Sequence, residues 1–448
     1  MSTADSPRAP TNAGATERGL ERSIGVRALA ASIVNITVGG GIFLIPAIVA
    51  GSLGAASWLA YVVAAIAFAL IVICFAEAGS RVAMTGGPYA YVETAFGPFA
   101  GYLTGALVLL FGTIAHAAVA SGFTQAVNAL VPGAGVGAPR AALLVLVFAL
   151  FTAINVRGVR QGARMVEVGT VAKLVPLCFL LVFGLFAVTG ANLAWPGMPD
   201  ASALTRAAMM LMFAFFGLET ALLPSGEVRD PARTVPRAIA LAITTVTILY
   251  VGVQVAAQGI LGADLPRYPD APLAAAAGKA FGSAGGALLL TGAAISMMAH
   301  TSGMMLAMPR SLFAFARDGY LPRILAAVHP KTHVPTAAII TYGAVACALA
   351  ISGTFSSLLV LGNITALLMY LLCCLAVLGL RRKNIRSTGE PFSLPGGTVV
   401  PWLASGAILV LLSTITGEEF LAVAVALAIA IVLYVVRRRT APRPLPTP

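Results

Sequence analysis

Apolar runs of about twenty residues recur from one end of the chain to the other, separated by short segments rich in Arg, Gly and Pro. As α-helices rising about 1.5 Å per residue, each run covers a hydrocarbon core of about 30 Å. The pattern predicts spans near residues 26–50, 56–80, 98–123, 140–156, 165–189, 203–226, 237–260, 281–309, 335–352, 355–380, 398–416 and 419–436. The first run carries its own interruption. In Asn35-Ile-Thr-Val-Gly-Gly-Gly-Ile-Phe-Leu-Ile-Pro46, three consecutive glycines, Gly39, Gly40 and Gly41, stand mid-run. Glycine weakens a helix interior because it has no side chain to pack and the most backbone freedom to lose. A break at that depth must face protein, water or a ligand, because lipid cannot satisfy the freed backbone groups. The N–H groups and positive dipole end of a half-helix starting near Ile42 suit a carboxylate, and freed carbonyls of Thr37 and Val38 suit a cation. One such break can hold a zwitterion. The competing reading is that the glycines only permit close packing on a neighbouring helix.

Composition excludes a water-soluble globule: 59% of residues are hydrophobic and 10% charged, with a mean hydropathy of +0.94, where a soluble domain carries about 25% charge. The net charge of +12 raises the question of nucleic acid, but the charge follows the predicted loops. With the N-terminus inside, 23 of the 28 Lys and Arg residues fall on the cytoplasmic side; Arg140, Arg206, Arg267 and Lys279 fall outside, and Lys173 lies within a span. The positive-inside rule then puts both termini in the cytoplasm and leaves no basic patch for nucleic acid. Residues 1–25 are polar, lack a cleavable signal pattern and are expected to be a disordered cytoplasmic segment, and 437–448 form a basic cytoplasmic tail. The five cysteines, Cys74, Cys178, Cys347, Cys373 and Cys374, fall inside apolar spans without metal spacing.

Between the second and third spans, Gly86-Gly-Pro-Tyr-Ala-Tyr91 is followed by Ala95-Phe-Gly-Pro98, with a turn at Gly86-Gly87-Pro88 and a short amphipathic element over 89–96. Further on stand Phe213-Ala-Phe-Phe-Gly-Leu-Glu219, Gly226-Glu-Val-Arg-Asp-Pro-Ala-Arg-Thr-Val-Pro-Arg237, and Ala316-Arg-Asp-Gly-Tyr-Leu-Pro322 with Val334-Pro-Thr336. With the glycine break, these motifs resemble, in order and topology, the amino acid-polyamine-organocation (APC) superfamily of transporters over residues 39–336. The last spans are compatible with it.

The resemblance implies an all-α polytopic membrane protein of about 12 transmembrane helices, a LeuT-type 5+5 inverted repeat with broken helices 1 and 6. The transport core would cover 26–380, with repeats over about 26–189 and 203–380, followed by a cytoplasmic loop and helices 11 and 12 over 381–436. Gly217, at the centre of the sixth span, suits the second break, although the halves share little residue identity.

By the same resemblance, Gly39, Gly40 and Gly41, with Thr37, capture a substrate carboxylate. Carbonyls of Phe213 and Phe216 receive the substrate ammonium, and the Phe213 ring covers the substrate; for these rings the alternative is ordinary packing. His116 and Met304 complete the substrate-binding candidates, and a polar ring at His116 could tune side-chain selectivity. Lys173 falls where sodium-driven relatives of the fold bind an ion, so its ammonium would stand in for sodium; the alternative is a lysine snorkelling towards the cytoplasmic face. Glu219 is an intramembrane carboxyl, costly by about 2.5 kcal/mol or more if charged and unpaired. It would bridge the broken helices, cycle a proton, or stand as a static neutral strut. His116 and His300 lack a second ligand at helical spacing, so no metal site is expected. Glu77 and Glu93 are expected to pair with arginines, and Glu227, Arg229, Asp230 and Arg233 suggest an inner-gate charge network.

The functional expectation is a sodium-independent secondary carrier of amino acids, neutral ones slightly favoured, working by proton symport or exchange in a bacterial inner membrane. No cofactor and no obligate protein partner are expected; the partners are the small-molecule substrate, protons and lipid. A polyamine or organic-cation carrier is the alternative, disfavoured by the scarcity of mid-span acids. An intramembrane enzyme built on Glu219 with His116 or His300 lacks a nucleophile elbow or a His-Glu-x-x-His run, and a channel lacks a filter loop.

Overall fold

The computed structural model describes residues 25–82, 87–157, 162–194, 197–217, 228–229, 231–317, 319–330, 334–386, 391–392 and 397–440. The first half of the chain forms α1 (Val26–Thr37), α2 (Gly41–Leu53), α3 (Ser57–Arg81), α4 (Pro88–Phe96), α5 (Pro98–Leu130), α6 (Gly137–Arg157) and α7 (Gly162–Gly184). The second half forms α8 (Ala201–Phe215), α9 (Pro231–Leu261), α10 (Pro272–Arg317), α11 (Thr336–Ser352), α12 (Phe355–Arg382), α13 (Val399–Leu412) and α14 (Gly417–Thr440). By length and composition, seven helical stretches among the described residues can cross a membrane; one of them, Gly41–Arg81, is α2 and α3 joined by a 3-10 turn at Gly54–Ala56. Helices α1, α8, α11 and α13 and the apolar part of α7 are shorter. The chain is an all-α polytopic membrane protein.

Local chemistry accounts for the helix boundaries. Helix α4 opens at Pro88 and ends at Gly97 with φ +93°, a conformation only glycine adopts cheaply. Pro98 then opens α5, where its missing N–H costs nothing. The predicted eighth span, 281–309, is part of a longer element: α10 begins at Pro272 and bends at Gly282, whose φ of +74° and ψ of −171° leave the helical region. The predicted sixth span, 203–226, is helical only to Phe215 among the described residues.

Helices α5 and α10 form an antiparallel seam made by small residues. A Cβ at Gly105 would lie 2.3 Å from the Phe315 ring, and one at Gly112 would lie 2.4 Å from Met308 Cε, so these glycines are the holes that α10 fills. Helix α12 packs along α5, α10 also runs against α7, and α9 lies across α1 and α3. Helix α14 is the least enclosed of the long spans, with Phe420, Leu421, Ile429 and Val432 turned outward as lipid-facing residues are.

One end of the bundle is tied by a buried ion triad. Glu77 is fully buried; its Oε1 accepts from Arg81 Nε at 2.9 Å and from Arg381 Nε at 2.6 Å, while Arg381 Nη2 donates to Oε2. This joins α3 to α12 and meets the expectation that Glu77 pairs with arginines. Removing the anion of such a group strands two guanidiniums, a loss of about 3–5 kcal/mol. Glu77→Gln should therefore lower the melting temperature of the detergent-solubilised protein, while Glu77→Gln combined with Arg381→Met should recover part of that loss. Equal melting of Glu77→Gln and the unsubstituted protein would remove the triad from the stabilising contacts.

Candidate functional site

The first span is interrupted where its glycines stand. Helix α1 ends at Thr37, Val38 to Gly40 are non-helical, and α2 begins at Gly41. Within the break, Gly39 N–H turns back to Thr37 O at 2.8 Å, and Phe43 N–H reaches Gly40 O at 3.2 Å. The start of α2 leaves N–H groups without a carbonyl four residues upstream in the same helix, as every helix N-terminus does.

Each glycine meets different surroundings. A Cβ on Gly39 would find only Thr37 O, at 3.9 Å, so this position borders open space. A Cβ on Gly40 would stand 2.9 Å from Met297 Cγ and 3.3 Å from Val119 Cγ1, wedged between α10 and α5. One on Gly41 would stand 3.1 Å from the Phe213 ring. The two readings of the glycines therefore divide among them: Gly40 and Gly41 allow close packing, and Gly39 keeps a gap. The Thr37 hydroxyl, two residues before Gly39, is buried and has no hydrogen-bond partner among the described residues.

The second interruption lies against the first. Helix α8 ends at Phe215, Phe216 is extended with ψ 158°, and Gly217 has φ +119°. A Cβ on Gly217 would come within 2.8 Å of Ile36 Cγ2 and 3.3 Å of Ile36 O, so backbone meets backbone here. Tyr250 of α9 clasps the two ends: its hydroxyl lies 2.9 Å from Ala214 O and 3.1 Å from Thr37 O, sharing one proton between the last turns of α8 and α1. The Thr37 carbonyl, expected to be free for a cation, is therefore occupied in this conformation. Asn363 of α12 donates to Met209 O at 2.8 Å and to Met210 O at 3.2 Å, fixing α8 from the other side.

The aromatic side chains separate by role. Phe213 is partly exposed, beside Gly41 and edge-on to Phe355 at 6.0 Å. Phe216 is buried in a cluster with Phe111 at 5.4 Å, Tyr370 at 5.1 Å and Phe68 at 6.3 Å. Its ring is therefore core, and any contact of Phe216 with a ligand would be through its backbone.

Lys173 projects from α7 to α1, where its ammonium donates to Asn35 O. Asn35 lies in the last turn of α1, the negative end of the helix dipole, so a cation is well placed there. The lysine is partly buried between helices.

His116 is fully enclosed on α5, one turn from Val119; Nδ1 is 2.9 Å from Tyr342 OH, and the ring packs on Tyr342 and Phe148. Met304 packs against the apolar core. Met297, seven residues earlier and thus on the same face two turns away, is the methionine that touches the break. Glu219, Glu227 and Asp230 lie outside the described residues. Among the described residues, no group of three His, Cys, Asp or Glu side chains is arranged to hold a metal ion.

Comparison with known proteins follows this geometry. A sequence profile described as amino acid permease matches residues 24–442. The chain is 27% identical over 435 residues to the methylthioribose transporter of Bacillus subtilis (strain 168), covering 93% of each chain. It is 28% identical over 443 residues to the serine/threonine exchanger SteT of the same organism, covering 95% of this chain and 99% of that one. The branched-chain amino acid permease BcaP of that organism is 27% identical over 406 residues, 87% of each. From the break to the last helix, the matched length covers every element described above, and the chain belongs to the amino acid permease family of membrane transporters.

Proposed function

We propose that this chain is a sodium-independent secondary carrier that binds an amino acid between the breaks of α1–α2 and α8 and moves it by alternating access. The observation that carries this reading is the direct approach of the breaks, Gly217 on Ile36, with Tyr250 across both ends. Two interrupted helices meeting inside a bundle put freed backbone polar groups where lipid cannot reach and a ligand can. In this reading the carboxylate enters the gap at Gly39 and lies on the N–H groups of Gly40 and Gly41, since the Gly39 N–H is turned to Thr37 O, with the Thr37 hydroxyl beside it. The ammonium faces carbonyls near Phe213 and Phe216, and the Phe213 ring covers the ligand. Lys173 supplies a fixed positive charge where a sodium ion would otherwise be needed, and Glu219 is the candidate proton carrier or strut.

The architecture that fits is twelve spans in two inverted repeats of five, α1–α7 and α8–α12, with α13 and α14 outside the core. The distribution of basic residues supports an orientation with both termini in the cytoplasm, and in this reading the carrier sits in the inner membrane. The serine/threonine exchanger and the branched-chain permease support small neutral amino acids. The methylthioribose relative supports a second reading, because that ligand has neither carboxylate nor ammonium.

The test is uptake into proteoliposomes of labelled serine, threonine, leucine, arginine, putrescine and methylthioribose, each with a proton gradient, a sodium gradient or internal substrate. Saturable uptake of a neutral amino acid, indifferent to sodium, is expected. Stimulation by sodium would overturn the role given to Lys173, and uptake of methylthioribose alone would overturn carboxylate capture.

A further inference from the structure

Phe213 of α8 faces α12 between Phe355 and Gly362, which stand seven residues, about two turns, apart on one side of that helix. Phe355 is buried and meets the Phe213 ring edge-on at 6.0 Å. It is itself wedged, because a Cβ at Gly122 of α5 would come 2.7 Å from Leu44 Cδ1 and 3.4 Å from Phe355 Cδ2. At Gly362 the packing is slack. A Cβ built there would meet Ile114 Cγ2 at 3.6 Å and Phe213 Cε2 at 3.9 Å, ordinary contact distances, with no third atom from another helix within 4 Å among the described residues.

Neither packing nor backbone explains a glycine at this position. Gly362 is buried inside α12 and does not have a positive φ. At Gly105 and Gly112 of the α5 seam a Cβ would collide at 2.3 and 2.4 Å, so those glycines are required; at Gly362 alanine would fit and would favour the helix. What glycine leaves here is a methyl-sized recess in an interior that is otherwise close-packed.

The recess lies behind the Phe213 ring. Cε2 of the ring faces Gly362, while Cδ1 and Cε1 on the opposite edge stand 3.1 and 3.5 Å from the position of a Gly41 Cβ. The ring therefore lies over the first turn of α2, where the N–H groups of Gly40 and Gly41 are the carboxylate site of the carrier reading. Asn363, next to Gly362, donates to Met209 O and Met210 O, in the turn before Phe213. The α8 backbone is thus fixed on α12 at this level, and relative movement falls to the side chain. Phe213 is partly exposed inside the bundle, whereas Phe215 and Phe216 are buried.

We propose that Gly362 is the recess into which the Phe213 ring retracts to uncover the start of α2, which makes Gly362 a positioning residue for substrate entry. The covered arrangement accepts a methyl group at position 362; the retracted arrangement does not, because the ring would need the same volume. Where only the retracted state admits ligand, lowering its population raises the apparent Kd and KM by the same factor. This deepens the carrier reading and rests on it for what enters, whereas the ring movement stands without it.

The test is Gly362→Ala in the full chain, in proteoliposomes and in lipid nanodiscs. The expected result is a melting temperature equal to or above that of the unsubstituted protein, with KM for L-serine or L-leucine uptake raised about tenfold. In a Phe213→Leu background, where no ring has to retract, the same substitution should change KM by less than about twofold. Fluorine-19 NMR with 3-fluorophenylalanine placed at position 213, without substrate, should show two ring environments in the unsubstituted chain and one in Gly362→Ala. A lower melting temperature in Gly362→Ala would show that there is no room for a methyl group and would overturn the proposal. An equal change of KM in both backgrounds, or identical fluorine spectra, would overturn it too. Unsubstituted vesicles silent to every amino acid would count against the carrier reading alone, since the fluorine spectra still decide whether the ring retracts.

Discussion

Lys173→Ala is expected to lower the initial rate of amino acid uptake by about ten- to a hundredfold. The ammonium of Lys173 donates to Asn35 O at the negative end of α1, and a hydrogen bond from a charged donor is worth about 1.5–3 kcal/mol. Alanine removes that bond and the charge together, leaving the last turn of α1 free to move away from α7. Lys173→Arg keeps the charge but not the compact shape, so it should recover only part of the rate. The measurement is uptake at matched protein incorporation with and without sodium. Normal sodium-independent kinetics in Lys173→Ala would mean that this lysine only snorkels towards the membrane edge.

The second large effect is at Gly217, where substitution by alanine should abolish measurable substrate binding. A φ of +119° is strained for any residue with a Cβ, at about 1–3 kcal/mol, and the added atom would also meet Ile36 Cγ2 at 2.8 Å and Ile36 O at 3.3 Å. The close contact with Ile36 is relieved by moving the end of α8 away from α1, which opens the space between the breaks. Binding and thermal unfolding measured on the same preparation separate the outcomes. Lost binding with a transition still present places Gly217 at the site; unchanged affinity would show that the contact between the breaks is incidental.

Much of this site could be anticipated where a residue type has only one physical use. Three glycines inside an apolar run predict a break, and the chain breaks at Val38–Gly40. Glu77, an acid near the end of a span with Arg81 one turn on, predicts its own ion pair, although Arg381 comes from 304 residues away and has no local signal. Tyr250 was not legible, because a tyrosine in an apolar helix carries no mark of what its hydroxyl will reach; the clasp exists only once α9 crosses α1 and α8. Met304 and Met297 show the same limit. Both lie on one face of α10, and only the register of α10 on α2 decides that Met297 touches Gly40. The His116–Tyr342 contact is likewise tertiary, since spacing along either helix offers no partner.

The central claim is that the ligand sits between the two helix breaks. A structure determined with the transported amino acid bound tests this most directly. The account predicts its carboxylate within about 3 Å of the N–H groups of Gly40 and Gly41 and the Thr37 hydroxyl, with its ammonium towards the end of α8 beneath Phe213. An amino acid bound elsewhere, for instance in the crevice lined by Phe43, Leu44, Asp270 and Met297, with the breaks empty, would contradict it.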